Sequence, residues 1–229
     1  FYIIKESLTS LKKLDIIPLE QTFATKYCRG GVFYKEGLMS KKRVEYKKMY
    51  YGFPVILISF YDNNNVANVT TLSSSFSLGD MIVLGFGKNS YAGNQIKKGA
   101  DFIVNLPDRS LMSEIDICGA HSGHKYNKFE LSKMNYKKSE VVNAPIIEEC
   151  PIALECTPVE IIENHHFQSY TTVFAKVKGR MICEDLLDDN KNLIYSKMDT
   201  VEYLGDDNLR VYRYLDKGKS DNSRSFLRE

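Results

Sequence analysis

The chain contains no tryptophan, only six prolines among 229 residues, and no long hydrophobic run. Its most apolar stretches, such as FPVILISFY, stay under ten residues, whereas a membrane-spanning helix needs about 20. A membrane-embedded protein is therefore not expected, and no secretory signal opens the sequence. The chain begins on Phe1 rather than Met, so further residues are expected upstream. An excess of one charge is also missing. The formal net charge is +2, too balanced to predict a nucleic-acid partner. Cysteines are few and odd in number: Cys28, Cys118, Cys150, Cys156 and Cys183, with no CxxC pair. That pattern suits reduced thiols in a cytoplasm better than a disulfide framework.

What is present is a globular composition, 43% hydrophobic and 26% charged, with 15 Tyr and 12 Phe to supply aromatic surface. The length suits one substantial domain. Residues 1–50 are read as an N-terminal extension of unclear role and residues 51–229 as the main domain. In the extension, SLTSLKKLDIIPLEQ predicts a short helix ended by Pro18, and KKRVEYKKMYY a basic, solvated run.

From Pro54 onward the pattern turns to strands. FPVILISFY reads as a buried strand, DNNN (Asp62 to Asn65) as a tight turn and VANVTTLS as the returning strand of a hairpin. MIVLGF and DFIVNLP are further strands, separated by a helix over Ser90–Gly99. RSLMSEIDICG predicts a helix closed by Gly119 as its C-terminal cap. PIALECTPVEIIE and TTVFAKVKGRMICE form two long alternating strands, and VYRYL a last one. No regular βαβα alternation exists, so the fold class is mainly β with helical insertions, an antiparallel barrel closed or partly closed.

Three polar clusters could carry chemistry. GFGKNSYAGNQI, Gly85 to Ile96, resembles a phosphate-binding loop through Gly87-Lys88. It fails the P-loop spacing, because Asn89 follows the lysine and Ile82 occupies the first glycine position. It fails the dinucleotide fingerprint as well, since Ser90 stands at the third glycine. A strand, a polar turn and a helix start remain, an arrangement that offers free N–H groups to an anion or is simply a joint with a solvated lysine. VTTLSSSFS places six hydroxyls within eight residues: Thr70, Thr71, Ser73, Ser74, Ser75 and Ser77. Hydroxyls suit the polar edges of a heterocycle, and they equally suit the solvent face of a strand end. The third cluster is DICGAHSGHKYNKFE, Asp116 to Glu130. Cys118, His121 and His124 suggest zinc, but a fourth ligand and a second spaced pair are missing, and His165-His166 are adjacent. A Cys–His nucleophile is weighed there too, and a packing cysteine is the plainer reading. Glu148, Glu149 and Glu155 lack the partnered acid of glycosidase chemistry, and no Ser–His–Asp order stands out.

Taken together, PVILIS, Asn68 within VANVTTLSSSFSL, VLGFGKNSYAGNQI, DFIVNLP, DICGAHSGHKYNKFE and APIIEECPIALEC resemble the flavin reductase-like family in order and register, over roughly Tyr51 to Glu184. The first 45 residues match nothing in that pattern, and the tail matches only loosely through YRYLDKGK. The resemblance implies an FMN-binding split β-barrel of Greek-key antiparallel topology. It implies a flavin ring against Thr71, Leu72, Ser73, Ser74 and Ser75, near Asn68. The FMN phosphate would lie at Lys88, Asn89, Ser90 and Tyr91. Lys128 and Phe129 correspond to the family's Lys-Phe pair, near the cofactor or the dimer interface. One departure is Ala92, where family members often carry Ser or Thr.

The implied activity is NAD(P)H-dependent flavin reduction, with hydride delivered to flavin N5. The alternatives are a flavoredoxin-like FMN electron carrier that binds no nicotinamide and takes electrons from a redox protein partner, and a split barrel that has lost flavin. A homodimer with the flavin near its interface is expected, and no catalytic acid–base pair is required, because the redox chemistry belongs to the cofactor.

Overall fold

The computed structural model describes residues 25–27, 33–35, 40–221 and 223. The chain divides into two compact units, Phe1–Glu45 and Tyr46–Glu229. In the first, β1 (Thr25–Tyr27) pairs antiparallel with β2 (Phe33–Lys35). The helix expected over SLTSLKKLDIIPLEQ lies outside the described residues. Lys41 to Met49, the basic run, is exposed throughout.

The second unit is built on a seven-stranded antiparallel sheet. Its members are β4 (Ile56–Tyr61), β5 (Ala67–Leu72), β6 (Ser75–Leu78), β7 (Met81–Gly87), β8 (Phe102–Leu106), β11 (Ile152–Ile162) and β12 (Tyr170–Ile182). The order across the sheet is β5-β4-β8-β11-β12-β7-β6. This order forces a barrel. The outermost strands β5 and β6 are joined by Ser73 and Ser74 alone, a link that reaches about 10 Å. Seven strands laid flat would separate those edges by roughly 29 Å. The sheet must therefore curl until its two ends meet at the serines. Gly85 N–H, donating to Ser74 O at 2.8 Å, holds the link against β7.

Both faces of β4 are covered, which is why its sequence is continuously apolar rather than alternating. Ile56, Ile58 and Phe60 point into the barrel with Leu84, Phe86, Phe102, Val104 and Val173. Val55 and Leu57 join Ala67 and Val69 under α2 (Met112–Ala120) and α3 (Lys128–Ser132) through Ile115, Cys118 and Phe129. Helix α1 (Tyr91–Lys97) contributes Ala92 and Ile96 to the barrel core. A short hairpin, β9 (Tyr136–Lys138) with β10 (Pro145–Ile147), is docked by a buried polar network. Asn105, fully buried, donates from Nδ2 to Leu57 O and to Ser59 Oγ, and accepts from Ile147 N–H at 3.1 Å. Ser59 in turn donates to Pro145 O at 2.5 Å.

The expected elements appear with three differences. FPVILISFY is split. Tyr50–Pro54 forms β3 in a separate three-stranded sheet with β13 (Val201–Gly205) and β14 (Arg210–Tyr214), and β4 starts only at Ile56. Val55 N–H bonds to Val201 O at the break, and Pro54, lacking an N–H, suits a strand end. Gly119 is not a helix cap. It lies inside the last turn of α2, which ends at Ala120 with His121 as its C-cap, and a Cβ there would sit 3.5 Å from Thr71 Cβ. The helix predicted over Ser90–Gly99 is shorter, Tyr91–Lys97, and Gly99 turns away from it at φ +95°. Strands β1, β2, β6, β9, β10 and β13 and helix α3 do not follow from the sequence pattern.

Candidate functional site

The turn after β7, the end of β5 and the loop after α2 converge on a cavity of about 150 Å³. Its walls are Thr70, Asn89, Ser90, Tyr91 and Ala92 on one side and His121, Ser122, Gly123, His124 and Lys128 on the other. Ser90 is the N-cap of α1, its Oγ accepting from Gly93 N–H at 3.1 Å, as a serine in that position does. The hydroxyl hydrogen of Ser90 stays available as a donor. Tyr91 donates to Asp62 Oδ2 at 2.7 Å and so ties the turn to the β4–β5 hairpin. Burial, reinforced by Asp62, pushes the Tyr91 phenol up to about 12. Gly123 packs under the same ring, where a Cβ would meet Tyr91 Cδ1 at 2.7 Å. Among the described residues, the amides of Asn89, Tyr91, Ala92, Ser122 and Gly123 have no hydrogen-bond partner.

Lys128 underlies this cavity and is 4% exposed. Its Nζ donates to Thr70 Oγ1 at 3.0 Å and to Cys118 O at 2.7 Å. An ammonium has three donors, so one is left over. Burial lowers the Lys128 ammonium to about 8, which leaves it mostly charged at neutral pH. Cys118 is fully buried, and burial pushes its thiol up to about 11 against the opposing charge of Lys128. That thiol is packing rather than a nucleophile. The sulfur also parts company with the exposed histidines. Among the described residues no three His, Cys, Asp or Glu side chains gather at metal-binding range.

A second cavity, about 460 Å³, lies farther along β5. Thr71, Leu72 and Ser73 form one wall and Asp116, Gly119 and Ala120 of α2 another. Tyr203 and Tyr212 come from the three-stranded sheet, their rings 5.4 Å apart. Tyr212 donates to Asp116 Oδ1 at 2.8 Å, and burial followed by that carboxylate raises its phenol. At the Ser73–Ser74 link the amides are unpartnered among the described residues, as are the hydroxyls of Ser73, Ser74 and Ser75.

The sequence-derived residues therefore fall into three groups. Asn89, Ser90, Tyr91 and Lys128 meet at the smaller cavity, and Thr71, Leu72 and Ser73 at the larger. Ser74 and Ser75 continue the same link into β6. Lys88 is exposed and lines neither cavity, its amide donating to Ser169 O. Two others are committed to the scaffold. Asn68 is 5% exposed, accepts from Lys128 N–H and donates to Tyr126 O, pinning that segment to β5. Phe129 packs in the core under α2, 4.6 Å from the Tyr136 ring. Thr71 Oγ1 donates to Ile115 O at 2.7 Å, which fastens β5 to α2. Ala92, the departure from the family pattern, lines the smaller cavity yet is 2% exposed and packs in the barrel core. Tyr203, Tyr212, Asp116, Ser122 and Gly123 were not singled out as site residues from the sequence.

Among the described residues no helix is long and apolar enough to cross a membrane. Comparison with known proteins places this geometry in context. The chain is 25% identical to the Bacillus subtilis protein YdfE over 155 residues, covering 62% of this chain and 73% of that protein. Its fold superposes on flavoredoxin of Desulfovibrio vulgaris (Miyazaki F) with a TM-score of 0.70 at 22% identity, covering 82% of this chain and 98% of the other. An FMN-binding protein from Thermus thermophilus matches with a TM-score of 0.63 at 16% identity over 80% of this chain and 100% of that one. The model of the flavin reductase like domain matches residues 49–202, well over half of the chain, and the protein is a member of that family.

Proposed function

We propose that this chain binds FMN in the two adjoining cavities and works as a flavin-dependent oxidoreductase, with NAD(P)H as the electron donor. The observation that carries the reading is the set of unsatisfied donors around the smaller cavity. Five unpartnered amides, the Ser90 hydroxyl and the spare donor of buried Lys128 suit one phosphate group. Tyr91, Ala92 and Gly123 are buried or half-buried, and donors of that kind without partners are costly unless a ligand or water satisfies them. Asn89 and Ser122 are exposed and add donors that water otherwise serves. An anion at this position satisfies several together.

The ring would then extend along Thr71, Leu72 and Ser73 toward the larger cavity. There the free amides of Ser73 and Ser74 suit the polar edge of a heterocycle, and Tyr203 and Tyr212 offer aromatic faces. When bound, FMN would supply the hydride and electron transfer chemistry. The chain's own residues perform other tasks. Lys128 and the turn amides neutralise the phosphate. Tyr91 and Asp62 keep the turn in place. Thr71 holds β5 to α2 so that the Ser73 and Ser74 amides stay aligned.

A homodimer with the flavin near its interface is part of the proposal. Phe76 and Leu78 support it: both lie on edge strand β6 immediately after the serine link, 54% and 67% exposed. An unpaired edge carrying large apolar side chains favours association.

The experiment is anaerobic mixing of the FMN-loaded protein with NADH and with NADPH while following the flavin absorbance near 450 nm. Prompt bleaching by either is the expected result. Bleaching only by a reduced ferredoxin-type protein would assign the electron-carrier role instead. Failure to take up FMN at all would sink the redox reading.

A further inference from the structure

The smaller cavity carries two histidines whose outer nitrogens the phosphate reading leaves unused. His121 directly follows α2, His124 is three residues on, and both side chains are exposed and line the cavity. Each spends one ring nitrogen on a backbone carbonyl. His121 Nδ1 is 3.0 Å from Ile117 O, and His124 Nε2 is 3.1 Å from Asn89 O. A carbonyl oxygen only accepts, so both of these nitrogens carry hydrogen. In the neutral rings the remaining nitrogens, His121 Nε2 and His124 Nδ1, are bare lone pairs. Neither has a partner among the described residues.

A lone pair repels a phosphate oxygen, whereas the same nitrogen carrying a proton donates a charge-assisted hydrogen bond to it. The surroundings sharpen this difference. Lys128 underlies the cavity, Lys125 sits on the same loop and Lys88 on the facing turn. The Tyr91 ring meets His124 edge-on at 5.1 Å, and Tyr126 meets His121 at 5.4 Å. Asp62, the nearby carboxylate, is engaged by Tyr91, and Asp116 of α2 by Tyr212. With a phosphate in the cavity, a proton on either free ring nitrogen would gain a charge-assisted partner.

We propose that His121 and His124 are ligands of a phosphate monoester in this cavity and bind it by taking up protons. The proposal rests on the flavin reading for the identity of the monoester, FMN. It adds a consequence: FMN is held more tightly in mildly acidic than in mildly alkaline solution, over the range in which histidine changes charge.

The test is isothermal titration of the whole chain with FMN and with riboflavin between pH 6 and 7.5, in buffers of different ionisation enthalpy. FMN is expected to bind with uptake of one to two protons near neutrality and to weaken at least tenfold across that range. The second ionisation of a phosphate monoester near pH 6 offsets part of the slope. Riboflavin should bind without proton uptake. The His121→Asn, His124→Gln double variant keeps an N–H at the position of each donating nitrogen, Nδ1 of His121 and Nε2 of His124. It should lose the proton uptake and the pH slope while its riboflavin affinity is unchanged.

FMN binding with no proton uptake, or uptake that survives in the double variant, overturns the proposal and leaves the flavin reading standing. If neither flavin binds at pH 6, the flavin reading fails and inorganic phosphate becomes the probe. Downfield shifts of two histidine Cε1–H resonances on phosphate titration would then uphold the histidine ligands. Their absence would overturn them.

Discussion

Lys128 Nζ lies 3.0 Å from Thr70 Oγ1, so a buried ammonium on α3 is tied to the end of β5 beneath the smaller cavity. Replacing it with a residue of similar shape separates phosphate binding from folding. The Lys128→Met variant should weaken FMN by about 10- to 100-fold, the worth of a charge-assisted hydrogen bond. Riboflavin should change by less than about threefold. Fluorescence titration of both flavins measures the difference, and equal losses would move the phosphate elsewhere.

The same lysine carries a pH signature in stability. Burial lowers its ammonium from 10.5 to about 8 in the folded protein. Between those values the unfolded chain binds the proton and the folded chain does not, so its contribution makes stability rise with pH across that window. Below about pH 8 the burden of the buried charge is constant. Urea melts at pH 7 and pH 10 should show that Lys128→Met removes a rise on the order of 3 kcal/mol. A difference between variant and parent that stays flat across the window would contradict it.

Gly123 owes its identity to a close approach, since a Cβ there would strike the Tyr91 ring. Gly123→Ala should push that ring and the turn apart. The expected result is a tenfold or greater loss of FMN affinity with a drop in stability of about 1–3 kcal/mol. Tyr91→Phe loses only the bond to Asp62 and should cost about 1 kcal/mol in stability.

Gly179 faces Glu155 across β11 and β12, in register with it. Glu155 is 4% exposed and accepts from Ser139 Oγ at 2.5 Å, so its carboxylate cannot swing away from an added methyl group, which would overlap Oε2. Gly179→Ala should lower stability by about 2–3 kcal/mol. Adding Glu155→Ala should recover part of that loss, a coupling that a double-mutant cycle reads directly.

Ser90 and Lys88 should behave unequally. Ser90→Ala removes the α1 cap and should cost about 1 kcal/mol in stability as well as weakening FMN. Lys88 is exposed, and Lys88→Ala should lower FMN affinity only about two- to threefold, more at low than at high ionic strength.

Much of this architecture was legible in the residues. Ser90 starts a helix because serine caps it, and Asp62 to Asn65 turn because Asn65 tolerates φ +58°. The apolar run of β4 announced burial on both faces. Other features depend on the chain already being folded. The break at Pro54 is set by Val201, about 150 residues away, whose carbonyl takes the Val55 N–H. Gly119 looked like a terminator but is a smooth surface against Thr71. Tyr203 and Tyr212 sit on short, half-polar strands whose pattern carries no hint of a cavity wall. His121 and His124 read as failed metal ligands. Their partners are backbone carbonyls, which leave no trace in sequence spacing.

The central claim, that the two cavities hold one FMN, is tested most directly by titrating the flavin-free protein with FMN and following flavin fluorescence and absorbance. The account predicts saturation at one FMN per chain, with riboflavin at least tenfold weaker. A protein that leaves FMN fluorescence and absorbance unchanged, or that binds riboflavin as tightly as FMN, would contradict it.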